Sequence, residues 1–438
     1  SIGSKYPEIR WISFIKMASR NFSKFGKRFS RKNGITQLMS DLGNANHSNN
    51  PNTIMLGGGN PAIISAANDK FISELEKLIS SSSINQMIGF YDGPQGSEEF
   101  ISELVMMFNN HYGWGLDEKN IVITNGSQSS FFSLFNLYGG EMEDGTHKKI
   151  LLPIVPEYIG YADQGISEDM FVSIKPEICM LNDKQFKYKI DFEELINVMS
   201  SDDIGAICIS RPTNPTGNVI SDDELNQLDL ISKEYGVPLI IDNAYGQPFP
   251  GAVYTKATLK WNTNMILCMS LSKLGLPGLR TGIIIAEHET IEALSRISGI
   301  MVLAPSSVGP SLLTRMIRDN ELLQLCDDVI RPYYKEKALT AVKLFESVFK
   351  DVDGYLHKLE GAFFMWLWFP NLSITSEQLY NNLKADDVFI VPGQDFFIGI
   401  DDDWDHKHQC IRINYAKDEV VLKKGLEVIY NHVKSSQK

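Results

Sequence analysis

Six short apolar runs constrain this chain more than any other feature. They are "NIVITN" (120–125), "KKILLPIVP" (148–156), "IGAICISRP" (204–212), "VPLIIDNAY" (237–245), "NMILCMS" (264–270) and "TGIIIAEH" (281–288). Such continuous runs suit strands buried on both faces. Helical patterns lie between several of them, as in "GSQSSFFSLFNLYG" after the first and 221–235 after the third. Strands alternating with helices predict an α/β domain with a mainly parallel sheet. One strand must run the other way. About ten residues, with Pro277 and several glycines, join the fifth run to the sixth, and no crossover helix fits in them.

After this region the pattern changes. Residues 305–350 read as mostly helical, with Pro332 expected to kink or break the run. Strands follow at 361–369, 387–393 and 410–416, with helices at 376–384 and 417–435. That is an α+β pattern, and a chain of 438 residues is long enough for two cores.

The balance of charge narrows the partners. A net charge of -13 argues against nucleic acid and against an anionic membrane surface, and no apolar stretch reaches bilayer length. Five scattered cysteines form no CxxC pair, which suits a reducing, cytoplasmic compartment. The first thirty-two residues are basic and acid-poor, with no apolar segment of a secretory signal. They read as an N-terminal arm or a transit signal. Met17 is taken as a natural start, with residues 1–16 upstream of it.

Polar residues collect where the runs end. Gly126, Ser127 and Gln128 open a helix directly after the first run. Tyr158 follows the second, Asn214 the third, Asp242 and Tyr245 the fourth, and Ser270 and Lys273 the fifth, with Arg280 seven residues on. Ligands bind outside the carboxyl ends of strands in an open α/β sheet, so these residues converge on one site. A helix start offers backbone N–H groups to an anion, and a nearby arginine adds charge. A lysine there can act as a nucleophile. Two other features are set aside. His406 and His408 in "WDHKHQ" read as a polar loop before a strand, with no metal ligand set at recognisable spacing. Phe363 to Phe369 reads as core of the second domain.

The order N-P-T-G, D-x-x-Y and S-x-S-K-x-x-x-P-G-x-R-x-G resembles the fold-type I pyridoxal-phosphate enzymes, and within them the aminotransferases. The likeness covers about residues 22 to 435. "GGGNPA", "YDGPQG", "TNGSQS", "PEYIGYAD", "SRPTNPTGNVI" and "HQCIRINY" are similar to the valine–pyruvate aminotransferases. The resemblance implies a large domain with a mainly parallel seven-stranded sheet plus a smaller α+β domain. The expected divisions are a basic extension (1–21), an arm with part of the small domain (22–60), a large cofactor-binding domain (61–315) and a small domain (316–438).

The resemblance also implies roles. Lys273 would bond to the aldehyde of pyridoxal 5'-phosphate and then carry protons at the substrate. Asp242 would face the ring nitrogen, Asn214 and Tyr245 the phenolate oxygen, and Tyr158 the ring face. Gly126, Ser127, Gln128, Ser270 and Arg280 would hold the phosphate. Arg412 would bind the substrate carboxylate, with Gly59, Asn60 and Asn214 beside it. Tyr91 would reach the phosphate of a neighbouring subunit, making a homodimer with shared sites. The expected reaction is L-valine plus pyruvate giving 3-methyl-2-oxobutanoate plus L-alanine. Another aminotransferase or a lyase on the same fold is the alternative. A regulatory domain without catalysis would need a DNA-binding module, for which about thirty basic residues are too few.

Overall fold

In the computed structural model the described residues are 21–31, 50 and 52–437, with 34, 36, 40 and 43 between them. Residues 1–20, which hold most of the basic extension and Met17, lie outside them.

The central sheet forms from the expected runs. Its strands are β1 (Ile121–Thr124), β2 (Gly140–Glu141), β3 (His147–Leu152), β4 (Phe171–Ser173), β5 (Ile204–Ser210), β6 (Leu239–Asp242), β7 (Met265–Ser270) and β8 (Gly282–Ile285). They lie in the order β1-β8-β7-β6-β5-β3-β2, with β4 also paired to β3. β3 to β7 pair in parallel. β8 is antiparallel to both β7 and β1, so β1 again runs with the parallel set. The count is eight rather than seven because β2, two residues long, folds back antiparallel on β3. Ile121–Ile123, Ile150–Leu152, Ala206–Ile209 and Ile283–Ile285 are all fully buried. Burial on both faces is what the unbroken apolar runs required.

This geometry sets the site. Ser210, Asp242 and Ser270 are the last residues of β5, β6 and β7. Ser210 is the Cα partner of Asp242, and Asp242 of Cys268. The helix Ser127–Tyr138 starts at the same end, two residues beyond β1.

A second sheet of six strands has the order 391–392, 410–414, 364–368, 355–357, 185–189, 177–180. Its last two strands come from the middle of the chain: Gln185–Lys189 pairs in parallel with Tyr355–His357. The pair was not foreseen, and it lies within the stretch read as the large domain. Pro332 does not interrupt the helical run. The chain stays helical from Glu321 to Val348, and a π turn at Cys326–Ile330 precedes the first turn of Arg331–Val348, where Pro332 sits. The π turn takes up the local change in hydrogen bonding beside a proline that has no N–H to donate.

Gly205 marks the tightest packing in the central sheet. A Cβ at this position would run into the Tyr138 carbonyl oxygen, which is backbone and cannot swing aside. Gly205→Ala is expected to cost about 1–3 kcal/mol by overpacking, read as a lowered thermal midpoint, whereas Gly113→Ala meets open space and pays only for its φ of 66°.

Candidate active site

Asp242 is the electrostatic centre of the cluster. Its side chain is buried, and Oδ2 accepts from Tyr161 Oη at 2.6 Å while Oδ1 accepts from the Ala244 N–H at 3.1 Å. Burial raises its carboxyl to about 6 against the pull of these donors and of Lys273. Lys273 follows β7 and donates to the Gly59 carbonyl at 2.8 Å, with Nζ 5.5 Å from the Tyr245 ring centre and 6.0 Å from that of Phe363. Burial first, then the charges of Arg412 and Arg280, lowers its amine to about 8 although Asp242 pulls the other way. A substantial neutral fraction near pH 8 makes it both nucleophile and base.

Arg412 stands in the middle of the strand Cys410–Asn414 and is buried. Nη1 donates to Asn214 Oδ1 and Nη2 to the Gly57 carbonyl, both at 2.8 Å. The guanidinium lies 4.3 Å from the Phe364 ring centre and 5.3 Å from that of Phe396. Asn414, two residues on and so on the same strand face, donates to the Gly58 carbonyl at 2.8 Å and to that of Asn60 at 3.4 Å. The "GGGNPA" segment is thereby pinned to Lys273, Arg412 and Asn414.

At the other end, Gly126 caps the helix Ser127–Tyr138 with φ 92°. A Cβ on Gly126 would collide with the Arg280 guanidinium, so the glycine lets that cation sit at the helix start. Arg280 Nη1 also donates to Ser272 Oγ at 3.3 Å, and Ser270 Oγ accepts from the Ser272 N–H at 3.0 Å. Gln128 spends its side chain on Tyr158 Oη and the Gly160 carbonyl, leaving its backbone N–H for an anion. The Tyr158 ring meets that of Tyr161 edge-on at 5.4 Å.

Thus thirteen expected residues, Gly59, Asn60, Gly126, Ser127, Gln128, Tyr158, Asn214, Asp242, Tyr245, Ser270, Lys273, Arg280 and Arg412, collect at one end of the central sheet. Tyr91 does not join them. It is 80% exposed in the loop after the helix Ser83–Gly89. Among the described residues, Tyr245 Oη and Arg412 Nε are the buried side-chain atoms of this cluster that find no hydrogen-bond partner. A phenolic oxygen facing Tyr245, an anion at the Arg280 helix start and a carboxylate at Arg412 would satisfy what the chain leaves open, so the residues fit pyridoxal phosphate with an amino acid beside it.

Sequence reasoning missed Tyr161, Asn414 and the site-facing role of Phe363 and Phe364. Tyr161 lies three residues after Tyr158, and Asn414 two after Arg412, so strand alternation was a usable signal for the second. Phe363 and Phe364 are fully buried, as a core reading expects, yet both rings pack edge-on to Tyr245. His406 corrects the polar-loop reading. It is buried, bonds Tyr188 Oη at 2.5 Å, and is driven down to about 3 by that burial, while His408 pairs with Asp403 at 3.1 Å.

Residues 51–429 match the family model of aminotransferase class I and II. The valine–pyruvate aminotransferase of Escherichia coli (strain K12) is 47% identical over 412 residues, 94% of this chain and 98% of that protein. The solved valine-pyruvate aminotransferase from Salmonella typhimurium LT2 is 46% identical, with a TM-score of 0.84 over 92% of this chain and 98% of its own. A solved protein from Psychrobacter arcticum 273-4 is 46% identical, with a TM-score of 0.92 over 95% and 99%. From the Lys273 and Asp242 cluster to these relatives, the chain belongs to the class I and II aminotransferases.

Proposed function

We propose that this chain transfers the amino group of L-valine to pyruvate, giving 3-methyl-2-oxobutanoate and L-alanine, with pyridoxal 5'-phosphate as cofactor. The observation that carries the substrate class is the state of the site's arginines. Arg412 is buried and its Nε finds no partner among the described residues, which leaves it a donor for one α-carboxylate. Arg211, beside the N-P-T-G turn, is spent on Asp222, Thr258 and Ile220. Arg211 is therefore not available for the distal carboxylate of aspartate or glutamate. The named E. coli and S. typhimurium relatives support the choice of valine and pyruvate.

When bound, the cofactor supplies an aldehyde that carries the amino group and a ring that spreads the electron pair left at the α-carbon. The chain does the rest. Asp242, oriented by Tyr161, sets a negative charge against the ring nitrogen. Tyr245 and Asn214 bond the phenolic oxygen, and Arg280 with the Ser127 helix start anchors the phosphate. Arg412 fixes the substrate carboxylate, and the Phe364 and Phe396 rings keep water off its flanks. With the cofactor bound, Lys273 would be the base that takes the substrate α-proton and the acid that returns it.

A homodimer with Tyr91 reaching into the partner's site belongs to the same reading. Phe90, Tyr91 and Ile300 are each more than 60% exposed, and Pro94 lies against the Gly299 position, so these apolar side chains share a face. A cytoplasmic location is also proposed, in keeping with five cysteines that are all unpaired.

Four outcomes are expected. Lys273→Ala abolishes turnover and borohydride-trapped labelling by pyridoxal phosphate, with the far-ultraviolet dichroism unchanged. In the wild-type apoprotein the labelling rate rises with pH and levels off above about 8, because only the neutral amine attacks. Across a panel of amino donors, kcat/KM for valine exceeds that for leucine and alanine by the modest factors of ~1–3 kcal/mol per methylene, while aspartate is rejected more strongly. Aspartate matching valine overturns the specificity. Mixing Tyr91→Phe with Lys273→Ala subunits restores activity above either parent once mixed dimers form. No recovery in proven mixed dimers means that each site is built within one chain.

A further inference from the structure

Glu157 is fully buried in the turn after β3, and no part of the chemistry above uses it. Its Oε1 accepts from the Ser210 N–H at 2.8 Å, and its Oε2 accepts from Ser210 Oγ at 2.5 Å and from the Tyr158 N–H at 3.3 Å. Its own N–H donates to the Phe396 carbonyl at 2.9 Å. The residue therefore ties together the end of β5, the Tyr158 turn and the loop whose Phe396 ring lies against Arg412. Among the described residues it has no ion-pair partner. The titratable groups that face it are Asp242 on β6, Cys208 on β5 and Tyr161 and Tyr158 on its own turn, none of them a cation.

We propose that Glu157 is a positioning residue kept as a neutral acid, clipping β5 to the Tyr158 turn without adding a second negative charge beside Asp242. The hydrogen bonds allow it. A serine hydroxyl can accept as well as donate, so the Ser210 Oγ contact survives with the proton on Glu157. The backbone donors of Ser210 and Tyr158 still find lone pairs. A charged carboxylate in this place would have three hydrogen-bond donors but, among the described residues, no cation to offset its burial and the nearby Asp242 charge. Burial and the Asp242 charge push the Glu157 carboxyl up to about 8. The reason for neutrality lies one strand over. Ser210 is the register partner of Asp242, and a second anion there would favour protonated Asp242 and weaken its hold on a ring nitrogen. That last consequence rests on the cofactor reading above. The state of Glu157 does not, and can be measured in the apoprotein.

Glu157→Gln is neutral at every pH and keeps the shape, with an amide N–H for Ser210 Oγ in place of the acid proton and only the long 3.3 Å Tyr158 N–H contact given up, whereas Glu157→Ala removes the clip. At neutral pH, kcat/KM of the Gln variant is expected within about two-fold of wild type, and that of the Ala variant about ten-fold lower or worse. A raised carboxyl favours the fold below its unfolded value near 4.5, and the advantage is lost as pH rises through about 8. The wild-type apoprotein should therefore lose thermal stability between these limits relative to Glu157→Gln. Parallel stability curves, or a Gln variant as impaired as the Ala one, overturn the proposal. Should the Gln variant fail to fold, infrared spectra of the wild-type apoprotein decide the matter. A carboxylic-acid carbonyl band present at neutral pH and lost on passing about 8 supports it, and its absence at neutral pH refutes it. Failure of valine transamination with these apoprotein results intact would count against the substrate alone.

Discussion

A carboxylate buried at the end of a parallel strand is the constraint around which this molecule is organised. Asp242 has left water, and an isolated charge there would cost more than packing alone could return. The chain answers with oriented donors rather than with a contact ion pair: the Tyr161 hydroxyl and the Ala244 N–H bond it directly, and Lys273 acts on it only through the field. That arrangement leaves one side of the carboxylate uncommitted. Burial then draws both groups toward the neutral range from opposite directions, down to about 8 for the amine and up to about 6 for the acid, against the attraction between them. Proton traffic near neutral pH needs groups so placed.

Arg412 shows the same economy on the other sheet. It cannot shed its charge, so its burial is made tolerable by Asn214, the Gly57 carbonyl and two aromatic faces. Asn214 comes from the turn after β5, and Gly57 from the segment ahead of the first long helix. One guanidinium thus registers three distant pieces of chain. Phe364, one of the two rings that flank it, also packs edge-on to Tyr245, so cofactor-facing and substrate-facing groups share one packed cluster.

Much of this was legible in the chain itself, for definite physical reasons. Strands β1, β3, β5, β6, β7 and β8 announce themselves because burial on both faces demands unbroken apolar runs, and a polar residue at the end of such a run marks the carboxyl edge. The antiparallel turn of β8 follows from a connection too short for a helix. What stayed hidden depends on tertiary neighbours. β2 is too short to carry a pattern. Strand 177–180 alternates weakly, while 185–189 does alternate, with Phe186 and Tyr188 inward, but its partner at 355–357 lies far along the chain. Glu157 looks like any loop acid until β5 closes over it, and His406 like a polar-loop histidine until Trp368 and Trp404 enclose it.

The 177–189 hairpin has a consequence for how such a molecule can be inherited or rebuilt. The smaller sheet is stitched from residues on both sides of β5 to β8, so no single cut yields it whole. A C-terminal piece moved to another protein would leave two strands behind and bare the edge of Tyr355–His357, an open invitation to association with a foreign strand. Lineages that shuffle contiguous gene segments therefore cannot trade this sheet as a module. Change in it has to come in place, by substitution, with both halves of the chain altering in step.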